Sequence, residues 1–285
     1  METTKKSIAI PTSVISDTPH LREKTSKIGL IGRVVAIFKI DEIIIFPDSS
    51  KRANQRKDAD FIALLLAYME TPQYLRKRLF KLDPQLQFAG ILPPLRTPHH
   101  PLNRKAKNLK VGEYREGVTL SRTKEGVLVD IGVEHPALMR ETSWAEGKRL
   151  PLQIVKAGES VEVQTASRDE IPSYWGYTVT VETRSFGKLV ESGKFDLAIA
   201  TSKTGANFMN AAGKIGEKWK KSPRILVAFG APARGLHEIV KDEGLDLNDV
   251  VDFVVNMVPE QGTETVRTEE ALLASLAIFN VQFHR

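Results

Sequence analysis

The sequence contains no cysteine. That removes disulfide cross-links, cysteine nucleophiles and thiolate metal sites, and it suits a reducing compartment. Long apolar runs are missing as well. The longest early one, residues 28–40, is broken by Arg33 and Lys39, and nothing approaches the roughly 18 apolar residues that cross a bilayer. Residues 1–7 are polar and basic with no apolar core behind them, so no secretory signal is read there. Histidine is sparse, and His20, His99, His100, His135, His237 and His284 show no metal-ligand spacing. Neither a Walker phosphate loop nor G-x-G-x-x-G nor a G-x-S-x-G elbow occurs. The expectation is a cytoplasmic protein with no membrane span and no metal.

What is present is ordinary in bulk and informative in position. A chain of 285 residues can form one large domain or two medium ones. Lys and Arg number 41 against 35 Asp and Glu, a formal charge of +6. Such a balance is compatible with a polyanionic partner without requiring one, so the placement of the charges matters more than their sum. One basic run, with Arg104, Lys105, Lys107 and Lys110 at its head, is opposed mainly by Glu113, Glu116 and Glu125. A second cluster is Arg76, Lys77, Arg78 and Lys81. Either is a solvated face or a surface for a polyanion such as nucleic acid.

The first hundred residues alternate between strand and helix. Residues 7–11 and 43–46 read as buried strands, the second a continuous β-branched run as expected where both faces are covered. Asp17 and Thr18 suggest the cap of a helix carrying Leu21, Ile28, Ile31 and Val35; 58–70 has the spacing of a buried helix, and 73–81 that of a short basic one. Residues 86–92 read as a further buried strand. The texture then changes. After the prolines at 93, 94, 98 and 101, short strands are expected at 118–120, 127–131, 151–155, 160–165 and 176–181, with no convincing helix between them. Five short strands in one stretch suit a small barrel of the OB type, although an SH3-like barrel would read much the same. From 185 onward helix and strand alternate again. The expected class is α/β with a mostly parallel sheet, interrupted by a small all-β barrel. Its divisions are 1–102, an inserted barrel at 103–184, and 185–285.

Three loops after predicted strands in the C-terminal part look built for a ligand. They are T-S-K-T-G (201–205), G-A-P-A-R-G-L (230–236) and the long polar stretch N-M-V-P-E-Q-G-T-E-T-V-R (256–267). Ligands of open α/β sheets collect outside the carboxyl ends of strands, where such loops meet. Glycine after a strand is also a common turn, so each loop alone says little. The third loop says more, because it is rich in hydroxyls and leads into a helix whose Thr268, Glu269 and Glu270 suit a helix N-terminus.

F-G-A-P-A-R-G-L (229–236) and N-M-V-P-E-Q-G-T-E-T-V-R-T-E-E-A (256–271) resemble the second and third motifs of the SPOUT RNA methyltransferases. S-I-A-I-P (7–11), A-I-F-K-I-D-E-I-I-I-F (36–46), P-Q-Y-L-R-K (72–77), Q-F-A-G-I-L-P-P-L-R-T-P-H-H (87–100), Y-R-E-G (114–117) and Y-W-G-Y-T-V (174–179) resemble the branch of that superfamily shared by archaea and eukaryotes. The likeness covers nearly the whole chain.

This resemblance implies a C-terminal trefoil knot and S-adenosylmethionine bound bent among the three loops. Carried over by position, the cofactor-facing residues are Thr201, Ser202, Gly205, Phe229, Gly230, Gly235, Leu236, Asn256, Val258, Pro259, Gly262, Thr265, Val266 and Ala271. Many relatives carry an acidic residue inside the second loop, where this chain has A-P-A-R, so catalytic roles do not transfer directly. Arg267 is the candidate for holding a phosphate or steadying an anion. Glu264, or Glu260, is the candidate base; a solvated loop carboxylate is the plain alternative for both. The implied partner is RNA, ribosomal RNA in particular with uridine N3 as the target, and the implied assembly a homodimer. A non-catalytic RNA-binding or ribosome-assembly factor on the same fold, and a ribose 2′-O-methyltransferase, stay open. RNA would be gripped by Arg104, Lys105, Lys107, Lys110, Arg76, Lys77 and Arg78. Tyr174, Trp175 and Tyr177 are either stacking surfaces or core.

Overall fold

Runs such as Ser7-Ile8-Ala9-Ile10 and Ile43-Ile44-Ile45-Phe46 are tolerated only in strands covered on both sides, because successive side chains point to opposite faces. The computed structural model, which describes residues 4–48 and 52–283, puts them at the centre of a parallel sheet. Residues 1–3 of the opening stretch and His284 lie outside the described residues. In chain order the first elements are β1 (Lys5–Pro11), α1 (Leu21–Ile37), β2 (Glu42–Phe46), α2 (Arg52–Glu70) and α3 (Gln73–Leu79). There follow β3 (Tyr114–Arg122), β4 (Val127–Asp130), β5 (Ala137–Met139), β6 (Arg149–Lys156), β7 (Glu162–Thr165) and β8 (Thr178–Val181). The last are α4 (Phe186–Glu191), β9 (Leu197–Asn207), α5 (Phe208–Lys221), β10 (Arg224–Ala228), α6 (Leu236–Lys241), α7 (Leu247–Val250), β11 (Phe253–Asn256) and α8 (Thr268–Phe283). They fall into two compact units, one of Met1–Ala67, Gln87–Pro93 and Tyr177–Arg285, the other of Tyr68–Leu86 and Pro94–Gly176.

The first unit is a six-stranded sheet in the order β11-β9-β10-β1-β2-β8, parallel throughout. One face buries Ala9, Ile44, Phe46, Ala198, Leu226 and Ala228 against Phe186, Leu189, Leu236, Ile239, Val240 and Leu247 of α4, α6 and α7. The alternate residues Ile8, Ile10, Ile43, Ile45, Ile199 and Val227 are equally buried on the other face. Each such side chain contributes about 1.5–3 kcal/mol relative to exposure.

Two sequence expectations are corrected in this unit. Residues 176–181 were expected to form a barrel strand, but β8 pairs in parallel with β2 from Thr178↔Glu42 to Val181↔Ile45, at the sheet edge. Its half-buried T-V-T-V pattern fits an edge as well as a barrel wall. Residues 86–92 are not a strand: 3-10 turns occupy Pro84–Leu86 and Ala89–Ile91. Their apolar residues cover α1 instead. A Cβ added at Gly29 would lie 2.9 Å from Pro93 Cδ and 3.1 Å from Leu92 Cδ2, so the glycine admits this close approach.

The second unit is built around a closed barrel, β3-β4-β5-β7-β6, antiparallel except for the β5–β7 pair. That order and single parallel pair are those of an OB-type Greek-key barrel. Val127, Val129, Ile131, Met139, Leu152, Ile154 and Val163 fill it. Gly117 of β3 is required by that filling, since a Cβ there would lie 2.5 Å from Leu152 Cδ1 and 2.7 Å from Val129 Cγ1.

Beside the barrel core lies a buried ionic cluster within the same unit. Arg149 donates from Nη1 to Glu70 Oε2 at 2.6 Å and from Nε to Glu116 Oε2 at 2.6 Å. Arg168 donates to Glu70 Oε1 at 3.1 Å, and Trp175 Nε1 to Glu116 Oε1 at 2.6 Å. Trp175, at 6% exposure, is core and not a free stacking surface. Burial opposes the charge on Glu70, but the His99 ring and the Arg149 guanidinium outweigh it and hold the carboxyl at about 2.

Candidate active site

The carboxyl ends of β9, β10 and β11 lie side by side in the sheet, so the loops that follow them must meet. The first loop is an excursion within a strand. β11 pairs with β9 at Val254↔Ala200 and resumes only at Val255↔Ala206, leaving 201–205 bulged out between them. Gly205 closes the bulge, and a Cβ there would lie 2.7 Å from the Val255 carbonyl carbon. Glycine is needed here by the backbone of β11, independently of any ligand.

Asn256, the last residue of β11, ties the first loop to the third. Its Nδ2 donates to the Lys203 carbonyl at 2.9 Å, while its Oδ1 accepts from the Val258 N–H at 3.0 Å. Lys203 Nζ in turn donates to the Glu264 carbonyl at 2.8 Å. Gln261 Nε2 donates to the carbonyls of Thr263 and Glu264 at 2.8 and 3.0 Å, so the long loop is braced from inside. The second loop is anchored at its start. Phe229 N–H donates to Ala9 O at 3.0 Å, and Thr268 Oγ1, at the start of α8, donates to Gly230 O at 2.9 Å. Arg234 donates to Asp48 O at 2.9 Å and pairs with Asp242, which holds the later part of this loop.

Between the loops is a cleft of about 420 Å³. Thr201, Ser202, Phe229, Gly230, Gly235, Asn256, Val258, Thr265, Val266 and Ala271 line it, as does Glu264. Gly205, Leu236, Pro259 and Gly262 do not: Gly205 packs on β11, Leu236 is wholly buried in the core, and Pro259 and Gly262 are exposed. Arg267 is exposed and also stands outside the lining, its guanidinium making no ion pair among the described residues. Lining residues that sequence reasoning missed include Lys203, His237, Gln261 and Ser275. Lys203 lay inside a quoted motif. Ser275 had a weaker signal, standing four residues beyond Ala271 and seven beyond Thr268 on one helix face.

The proposed RNA-gripping residues belong to the second unit. Arg104, Lys105, Lys107 and Lys110 are exposed, as is Lys77. Arg76 is used internally: it donates to the carbonyls of Thr71 and Met69 and sits 4.6 Å from the centre of the Tyr68 ring. Arg78 pairs with Asp130. His99 and His100 both meet the Glu70 carbonyl, at 2.9 and 2.8 Å, and serve the interior. Among the described residues no group of three acidic or histidine side chains is placed to hold a metal, and no helix is long and apolar enough to cross a membrane.

A family model described as "putative RNA methyltransferase" matches residues 5–279. The chain belongs to this family of RNA methyltransferases. The SPOUT likeness drawn from the second and third loops is therefore upheld, and both loops line the cleft together with the first. Relatives that align with nearly the whole chain support the assignment. An uncharacterised protein of Halobacterium salinarum is 32% identical over 95% of the chain and 97% of its own length. The mouse protein named 28S rRNA (uridine-N(3))-methyltransferase is 32% identical over 95% of the chain and 74% of its own length. The Drosophila melanogaster protein of the same name is 30% identical over 95% of the chain, which spans 61% of it.

Proposed function

We propose that the chain transfers a methyl group from S-adenosylmethionine to uridine N3 of ribosomal RNA. The observation that carries this reading is the cleft between the two motif loops and the bulge of β9. The activity for which the mouse and Drosophila relatives are named supplies the acceptor. The residues present fit the group. The cleft pairs apolar Val258, Val266 and Ala271 with hydroxyls and main-chain groups from three loops, a lining suited to an amphiphilic nucleoside.

Thr201, Ser202, Phe229, Gly230, Gly235, Asn256, Val258, Thr265, Val266 and Ala271 would hold it. Bound there, S-adenosylmethionine supplies a methyl group on a positively charged sulfur. The protein's part is to position and to manage a proton. A uridine ring nitrogen must lose its proton on methylation, and Glu264, an exposed carboxylate at the cleft's lip, is the base in this reading. Arg267, unpaired and exposed nearby in sequence, holds an RNA phosphate or steadies the developing anion.

Trefoil threading of the C-terminal segment belongs to the same reading. So does pairing of two copies, for which exposed Leu30 and Ile37 on α1 and Leu273 and Val281 on α8 offer apolar surface. A single-chain mass by light scattering would remove the pairing. Isothermal titration with S-adenosylmethionine tests the cofactor: saturable binding is expected, and its absence in the folded protein would refute the reading.

A further inference from the structure

Several buried polar side-chain atoms have no hydrogen-bond partner among the described residues, and of these Ser275 Oγ alone borders the cleft. Ser275 is wholly shielded from water in α8. Serine and threonine inside helices commonly return the hydroxyl to the carbonyl four residues back. This protein does so elsewhere: Thr25 donates to Leu21 O and Ser222 to Lys218 O, both at 2.8 Å. Ser275 does not. Spacings of three and four residues place Thr268, Ala271 and Ser275 on one face of α8, the face that borders the cleft. Thr268 spends its hydroxyl on Gly230 O, and Ala271 has none, so Ser275 carries the unused hydroxyl of that face.

We infer that Ser275 is a ligand-binding residue whose hydroxyl bonds the adenine edge of S-adenosylmethionine; the inference rests on the cofactor reading above. A buried polar group left unpaired costs stability, and a ligand that supplies the partner recovers it. The character of the lining groups decides which part of the ligand suits Ser275. Lys203, Arg234, Glu238 and Glu264 are charged lining groups, all exposed or half-exposed, and suit the charged amino-acid end. Ser275 is neutral and dry, with Ala271 and buried Phe229 also in the lining, and suits a flat base. Ring nitrogens accept and the exocyclic amine donates, and a hydroxyl serves either.

The test is Ser275→Ala in the full chain, with melting temperature and titration of two probes. S-adenosylhomocysteine carries both ends of the ligand, and 5′-methylthioadenosine carries the adenosine end alone. Alanine is the better helix former and removes the orphan hydroxyl, so the free protein is expected to melt no lower than wild type. Both probes are expected to bind roughly tenfold more weakly. Unchanged affinity in the folded variant overturns the inference. So does a lower melting temperature, which would make the hydroxyl structural. Weakening confined to S-adenosylhomocysteine would move Ser275 to the amino-acid end and overturn the adenine assignment. If wild type binds neither probe, the cofactor reading itself fails, a result separate from a wild type that binds and a variant that binds equally well.

Discussion

Asn256 joins two loops with one amide, donating to Lys203 O and accepting from Val258 N–H. Asn256→Ala removes both bonds, each worth about 1 kcal/mol net, and is expected to lower the melting temperature by a few degrees and to weaken S-adenosylmethionine roughly tenfold. Titration checks this; full affinity in the variant would show that the loops hold themselves without the amide. At this scale the sequence was legible where a residue type has few uses. Ten of the fourteen residues carried over from the family motifs line the cleft, because motif spacing is tied to loop geometry. It misled where one residue type serves two ends. Gly205 is dictated by the backbone of β11, and Gly262 has open space around it, nothing lying within 4 Å of an added Cβ. Ser275 was barely legible, its spacing from Ala271 and Thr268 being the one signal, since a serine in an apolar helix shows its value only when its neighbours fail to bond it.

Among the elements, the barrel unit owes part of its stability to charges that no periodicity reveals. The folded carboxyl of Glu70, held at about 2, lies below its ordinary value of 4.5. A depressed carboxylate stabilises the fold fully above the unfolded value, and the contribution is lost as pH falls from about 4.5 toward 2. Urea unfolding of a variant that keeps Trp175 as its one tryptophan, followed by fluorescence, is expected to show stability falling across that window, and Glu70→Gln to flatten the dependence. An unchanged slope in the variant would acquit Glu70. The same unit carries the exposed basic run. Replacing Arg104, Lys105, Lys107 and Lys110 with Ala is expected to weaken single-stranded RNA binding and flatten its salt dependence. The log–log slope should fall by about 0.7 for each phosphate that the variant no longer neutralises. Cofactor affinity should not move. Equal RNA affinity and slope in the quadruple variant would make the run a solvated face. Strand density made the barrel legible from sequence, whereas β8 was misplaced because a short alternating T-V-T-V segment fits either sheet. Residues 86–92 were misread because apolar turns covering a helix imitate a buried strand.

At the scale of the molecule, α/β alternation and doubly buried strands made the parallel sheet readable before any coordinates. The division into units was less so, because each unit is assembled from separated stretches of chain. One unit carries the cleft and the other the exposed basic run. Family membership gives the class of reaction, and the acceptor is the one proposed above from the named relatives. The most direct measurement is mass spectrometry of nucleosides from unmodified ribosomal RNA incubated with the protein and S-adenosylmethionine. The expected product is 3-methyluridine, formed by wild type and reduced at least roughly tenfold by Glu264→Gln if that carboxylate takes the N3 proton. A 2′-O-methylated nucleoside, or no methylated nucleoside from protein that binds both RNA and cofactor, would contradict base methylation at uridine N3.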